Sequence, residues 1–288
     1  MRYKGKITRG KVDQQVMNQQ EQQPDWDRLA EKFDYWLPHF APVSETLITA
    51  LRAQPGDSIL DIACGTGEPS LSLAQTMQGK ITITATDAAQ GMVSAAQRKA
   101  ERANLHCIHF ENMQAESLAF ANNAFDAVIS RFGVMLFNNP LQGLKEIHRV
   151  LKPGGRFALA VWGSAETMTT LNWAYEAFDG HIPEEAMPPL ALATRFGTID
   201  AFEEILNSSG FTRNKIETHE LNYRFASFED YWQTIEASDI MKLQLDALAH
   251  PAAKLDIKQA LAKLAAQHEH GEGLTIPHQY LVASDIKE

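Results

Sequence analysis

Cysteine is scarce: only Cys64 and Cys107 occur among 288 residues. That excludes a disulfide framework and fits a reduced, cytoplasmic protein. Cationic residues are also in deficit. Lys and Arg number 26 against 36 Asp and Glu, giving a net charge of −10. Such a balance is poorly suited to neutralising phosphates, so no nucleic-acid partner is expected. Long apolar runs are absent too. The longest stretch free of Asp, Glu, Lys and Arg, Phe132 to Leu144, contains Pro140 and two Asn. It is too short and too polar to span a bilayer. No apolar segment follows the basic start, so no signal peptide is expected. There is no internal repeat. His268-Glu269-His270 has no Cys or His partner at ligand spacing, so no metal centre is expected. What is present is ordinary for a globular protein: 44% hydrophobic and 22% charged residues. At this length one large domain, or one domain with a cap, is expected; as to assembly, the expectation is a monomer or homodimer.

Residues 1–23 carry Arg2, Lys4, Lys6, Arg9 and Lys11, then six glutamines, with almost nothing to bury. They are read as a disordered tail. Trp26, Leu29, Ala30, Phe33 and Leu37 recur at helical spacing and predict one amphipathic helix. A second helix is expected from about Val43 to Ala53, ending at Pro55-Gly56. Residues 24–55 would form a helical lid. Between 56 and 162, short apolar strands alternate with helices, which predicts a parallel sheet covered on both faces. Residues 163–198 read as a cap. Residues 199–227 and 273–288 complete the core, their strands an antiparallel hairpin interrupted by a helical insertion over 228–272. The fold class is therefore α/β: a doubly wound, mostly parallel seven-stranded sheet, its last strand antiparallel, with helical cap insertions.

The most informative stretch is the turn Asp61-Ile62-Ala63-Cys64-Gly65-Thr66-Gly67-Glu68-Pro69. Two glycines after a strand and before a helix let the backbone approach a ligand closely. Asp61 would repel a pyrophosphate, and Pro69 removes one amide that would hold a phosphate. A ligand that is neutral or cationic on that side is expected. Asp87 ends the next strand. It can accept from both hydroxyls of a ribose, or cap the helix from Gln90.

These residues, followed by Ala115-Glu116-Ser117-Leu118-Ala119-Phe120, Phe125-Asp126-Ala127-Val128 and Arg149-Val150-Leu151-Lys152-Pro153-Gly154-Gly155, resemble a class I S-adenosylmethionine-dependent methyltransferase. The likeness is greatest to the ubiquinone/menaquinone C-methylases and related small-molecule enzymes. It covers about Trp26 to Trp162. It implies S-adenosylmethionine as cofactor and a small-molecule methyl acceptor. Ala63, Gly65, Thr66 and Gly67 would lie under the methionine part, with Asp61 toward its ammonium. Asp87 would hold the ribose hydroxyls. Ala88 and Met92 would flank the adenine, and Gln114 and the Ala115 amide would meet its edge. Gln114 departs from the family pattern, which usually has Asp there. Ser130 would stand beside the methyl group.

Methyl transfer needs a nucleophile held in line with the leaving sulfur, and in some cases a base. Arg131 and Phe132, after Ser130, are candidates to orient the acceptor. Trp36 is a candidate to stack on it, and His39 to act as general base. Two other readings are a protein of the same fold that binds the cofactor without turnover and a nicotinamide-dependent oxidoreductase; Asp61 and Pro69 argue against the latter.

Overall fold

The computed structural model describes residues 24–212, 214–271 and 273–288. The predicted tail, residues 1–23, lies outside them. The strands are β1 (Ser58–Ile62), β2 (Thr82–Asp87), β3 (Ile108–Asn112), β4 (Phe125–Arg131), β5 (Leu151–Trp162), β6 (Lys215–Phe225), β7 (Glu269–His270) and β8 (Gly273–Ile286). The main sheet runs β3-β2-β1-β4-β5-β8-β6, and the two-residue β7 pairs with β8. Strands β1 to β5 pair in parallel; β8 is antiparallel to both β5 and β6. The order turns back at β1, where the chain leaves for β2 on one side and β4 lies on the other. A crevice beyond the strand ends follows from that reversal.

The helices are α1 (Trp26–Leu29), α2 (Leu37–Leu51), α3 (Ser70–Thr76), α4 (Gln90–Arg102), α5 (Pro140–Val150), α6 (Thr169–Phe178), α7 (Ile199–Ser208), α8 (Phe228–Ser238) and α9 (Ala253–Ala265), with short turns at Leu190–Ala193 and Lys242–Asp246. Strand β1 is buried along nearly its whole length, as a central parallel strand must be. Strand β6 alternates instead. Leu221, Tyr223 and Phe225 are buried while Glu220, Asn222 and Arg224 face outward, the period-2 pattern of a strand with one wet face. Among the described residues, no helix is long and apolar enough to cross a membrane.

The N-terminal segment corrects the sequence reading. The single helix expected through Leu37 is broken. Helix α1 stops at Leu29, a 3-10 turn covers Phe33–Tyr35, and α2 already begins at Leu37. The cause is Pro38. Its ring would clash with the carbonyl of residue 34 in a continuous helix, whereas near a helix start its missing N–H costs nothing. His268-Glu269-His270 also differs. Its last two residues form β7 rather than helix, because Thr275 N–H bonds back to the His268 carbonyl and turns the chain onto β8.

Candidate active site

Asp61 lies in β1, paired in register with Ala85 and Ile129, and is fully buried. Its Oδ2 accepts the Ser70 hydroxyl at 2.7 Å; Oδ1 is buried without a partner. Burial pushes the carboxyl up to about 7, opposed by the Ser70 bond and by nearby Arg131. A buried oxygen without a donor costs free energy. It marks a place where a cationic or donor group would be well received.

The turn after β1 bends sharply. Ala63, Gly65 and Gly67 all have positive φ. A Cβ at Gly65 would meet nothing within 4 Å, so the turn is open on that side. At Gly67 a Cβ would lie 2.9 Å from the Leu71 side chain and 3.3 Å from Ala96. Gly65 therefore leaves space for a ligand, and Gly67 lets α3 and α4 close beneath it. The end of β2 reaches across the opening. The Asp87 oxygens accept from the Gly65 N–H and the Ala89 N–H, each at 2.9 Å. Burial holds this carboxyl above its ordinary range, opposed by those two bonds. Asp87 is not the N-cap of α4. That place belongs to Ala89, which offers no side-chain bond.

Other sequence-predicted residues are placed unevenly. Ala88 and Gln114 are exposed at the rim and Ala115 is buried. Met92 packs with Ala30, Ala89 and Ala95 beneath Trp26 and Phe33, so one side of it is occupied by the N-terminal segment. Ser130 is fully buried and donates its hydroxyl to the Ile62 carbonyl at 2.8 Å. That bond ties the ends of β1 and β4 together.

The N-terminal segment is a strap across the glycine turn, and its ties escaped the sequence reading. Asp34 Oδ1 accepts from Thr66 Oγ1 at 2.7 Å and Lys99 Nζ at 2.6 Å. Lys99 also donates to Thr66 Oγ1 at 2.9 Å. Asp27 accepts from the Gly91 N–H, and Lys32 pairs with Asp239 at 2.6 Å. Replacing Asp34 with Ala removes the acceptor shared by Lys99 and Thr66. Hydrogen exchange in residues 25–36 should then speed up while the β1–β5 amides stay protected; unchanged exchange there would mean the strap is held by apolar packing alone.

A wall of rings stands beyond the ends of β4, β5 and β6. Phe132 stacks on Trp162 with centroids 3.8 Å apart. Phe40 meets Phe132, Trp162 and Tyr223, each at 5.9 Å. His39 lies 4.4 Å from Phe225 and 5.3 Å from Tyr223. Trp36 is buried with its indole N–H unpartnered. His39 is half-buried. Burial lowers its pKa, with Asp230 opposing, so the ring is neutral at pH 7. His278 packs 4.1 Å from Tyr223. Its Nε2 accepts from the Thr170 N–H and hydroxyl, which leaves the proton on Nδ1, facing the Ile276 carbonyl. Both nitrogens are occupied, so His278 is a platform rather than a base. Tyr223, Phe225 and His278 were not singled out from sequence. Only their alternation along β6 and β8 could have signalled a buried face.

Arg131 stands between this wall and the glycine turn. Its guanidinium donates to Ser44 Oγ at 2.9 Å and lies 5.6 Å from the centre of the Phe40 ring. It lines a cleft of about 710 Å³ between α2 and α3, with Asp34 and Glu68.

The family described as "Methyltransferase domain" matches residues 59–155. The chain is 33% identical over 135 residues to the demethylmenaquinone methyltransferase of Listeria welshimeri, covering 47% of this chain and 56% of that protein. It thus spans about half the length of that relative. It is 30% identical over 187 residues to the ubiquinone/menaquinone biosynthesis C-methyltransferase UbiE of Bartonella quintana, covering 61% of this chain and 71% of that protein. The crystal structure of the YcgJ protein from Bacillus subtilis has a similar fold, with a TM-score of 0.59 at 17% identity over 85% of this chain and 97% of that one.

Proposed function

Since the chain belongs to the class I S-adenosylmethionine-dependent methyltransferases, the family of the ubiquinone/menaquinone C-methyltransferases, we propose that it moves a methyl group from S-adenosylmethionine to O, N or C of a small, ring-bearing molecule. The observation that carries this reading is the pair Asp61 and Asp87 on adjacent strands, with Gly65 open between them. The residues fit the cofactor. Asp61 offers an unpartnered buried oxygen toward an ammonium. Each Asp87 oxygen accepts one bond here and has lone pairs left for ribose hydroxyls. When bound, S-adenosylmethionine supplies a methyl on a positively charged sulfur, which an electron-rich atom displaces in line.

The rest is the work of this chain. Ala88, Met92, Gln114 and Ala115 would border the adenine. Ser130, through its bond to Ile62, keeps the ends of β1 and β4 in register. The aromatic wall would receive the acceptor's ring, with the Trp36 N–H offering a hydrogen bond to an oxygen on it. Phe132, fixed by Trp162, sets the depth of that site. His39, neutral at pH 7, is placed to take a proton from the acceptor. A small acceptor rather than a nucleic acid fits Asp34, Glu45 and Glu68 around the cleft. Free thiols at Cys64 and Cys107 suit the cytoplasm.

Calorimetry should show micromolar binding of S-adenosylhomocysteine and far weaker binding of NAD; the reverse order sinks the reading. Transfer of labelled methyl to a panel of phenols, amines and enolisable ketones then separates an enzyme from a protein that binds without turnover. Asp87→Ala should weaken S-adenosylhomocysteine binding roughly 10–100-fold, the loss expected for hydrogen bonds to a charged group, and lower Tm modestly, because the Gly65 and Ala89 N–H groups lose their acceptor. Unchanged affinity would leave Asp87 as a brace for the glycine turn and nothing more.

A further inference from the structure

Two buried rings of the aromatic wall, Tyr223 and Phe225, flank Arg224 on β6. Strand alternation sends Arg224 out of the other face, where it is exposed. Thr275 of β8 is its cross-strand partner, and Asn222 pairs with Pro277 two residues along. On the far side of β8, His270 pairs with Gly273, and the Thr275 N–H bonds to the His268 carbonyl at 3.1 Å. Strands β6 and β7 thus flank β8 at Leu274, which pairs with both Phe225 and Glu269. Two strand spacings put them about 10 Å apart. Gly273 permits that approach, since a Cβ there would run into the Phe225 carbonyl. The result is a hollow of about 390 Å³ whose lining includes Asn222, Arg224, His268, His270 and Thr275.

The chemistry of this hollow is one-sided. A guanidinium, two imidazoles, an amide and a hydroxyl line it, and none of its described lining residues is acidic, in a chain of net charge −10. Among the described residues, the side chains of Arg224 and His270 make no hydrogen bond or ion pair. The His268 ring leans on Trp173 with centroids 5.3 Å apart, which holds it in place. Two carboxylates of the same strands lie elsewhere. Glu269 accepts from the Phe228 N–H at 3.0 Å, and Glu220, on the same face of β6 as Arg224, is four residues or about 13 Å away. Donors from three strands, one of them a fork, suit an anion with several acceptor oxygens. A carboxylate offers two; a phosphate monoester offers three and a charge near −2. The volume also falls in the range of small-molecule sites, so an organic body fits beside the phosphate. We propose that this hollow binds a small phosphate monoester, its phosphate held between Arg224 and the two imidazoles. The site is separate from the glycine turn and the aromatic wall, and it does not rest on the methyltransferase reading. Its occupant bridges β6 and β7 across β8, fastening the 228–272 insertion to the sheet edge, and stabilises the folded chain by mass action.

Phenyl phosphate and inorganic phosphate are titrated into the full chain at pH 7 and constant ionic strength, with chloride and acetate as controls. The readouts are the ring resonances of His268 and His270, assigned by substitution, and Tm. Both phosphates should shift these two rings, leave the buried His278 ring unmoved and raise Tm, phenyl phosphate binding the tighter. Arg224→Gln should weaken both about 10–100-fold, as for a charge-assisted bond, and His270→Asn should weaken them less. Both substitutions are at exposed positions, and the Tm of each variant without ligand checks that it folds. Shifts no larger than those from chloride overturn the proposal. So does binding that survives Arg224→Gln, which places the anion elsewhere. Acetate as effective as phosphate, or inorganic phosphate bound with phenyl phosphate refused, overturns the assignment to a phosphate ester.

Discussion

Asp61→Asn is expected to make the ligand-free protein more stable at pH 8 and to remove most of its cofactor affinity. The carboxyl is fully buried, and burial pushes it up to about 7 from an ordinary value of 3.8. The folded state therefore binds a proton more strongly than the unfolded chain between those values. Stability falls as pH rises from about 4 to about 7, and the whole penalty is present above 7. At roughly 1.4 kcal/mol per pKa unit it is on the order of 4 kcal/mol. Asn keeps an oxygen for the Ser70 hydroxyl and carries no charge, but its amide enters a place with no acceptor, which costs about 1–2 kcal/mol. A net gain of about 2 kcal/mol, or roughly 4–8 °C in Tm, should appear at pH 8, shrink as pH falls and turn into a loss of about 1–2 kcal/mol near pH 4, where the wild-type carboxyl is protonated and only the amide cost remains. Binding moves the other way. An ammonium needs the ionised carboxylate, so wild-type affinity for S-adenosylhomocysteine should drop below pH 7 while the weakened Asn variant stays flat. The measurements are melting and calorimetry across pH 4–8. A lower Tm at pH 8 would show that Asp61 is a structural anchor for α3 and not a site held ready at a cost to stability.

Removing the strap should cost more in turnover than in folding. A cut at Pro42 falls inside α2 and discards Phe40, which belongs to the core and the aromatic wall. The informative pair is therefore a chain beginning at Pro24 and one beginning at Leu37. The first loses only residues 1–23, which carry no apolar periodicity, and should match the full chain. The second also loses Asp34, Trp36 and the cover over Met92 and Ala95. It keeps every strand and α2, so it should fold with a lowered Tm and bind the cofactor more weakly. Methyl transfer should fall by about 10²–10⁴, because the acceptor is no longer held in line and water enters. Titration, melting and product formation on both chains decide it. Undiminished turnover from Leu37 onward would make the strap packing only and move the acceptor site toward residues 163–198 and 228–272.

The sequence by itself determined the alternation of strands and helices, the turn at Gly65 and Gly67, and the carboxylates at the ends of β1 and β2. Each is a local pattern: period-2 or continuous apolar strands, positive φ at glycine, Asn139-Pro140 opening α5. With such units in this order, crossover rules leave few sheet topologies, so the ligand edge was legible as well. The strap was not. Asp34 meets Thr66 and Lys99 across 32 and 65 residues, and Arg131 meets Ser44 across 87, pairings that leave no periodic trace. The aromatic wall draws on α2, the ends of β4 and β5, and two late strands whose approach depends on the β6–β8 register. Ser130 reads as a cofactor residue from its place after β4, yet only packing shows its hydroxyl held by Ile62. Asp61 is the sharpest case. Its identity and place follow from the turn motif, but its unusual acidity comes from being enclosed by β2, β4 and α3, which exists only once the sheet has closed around it.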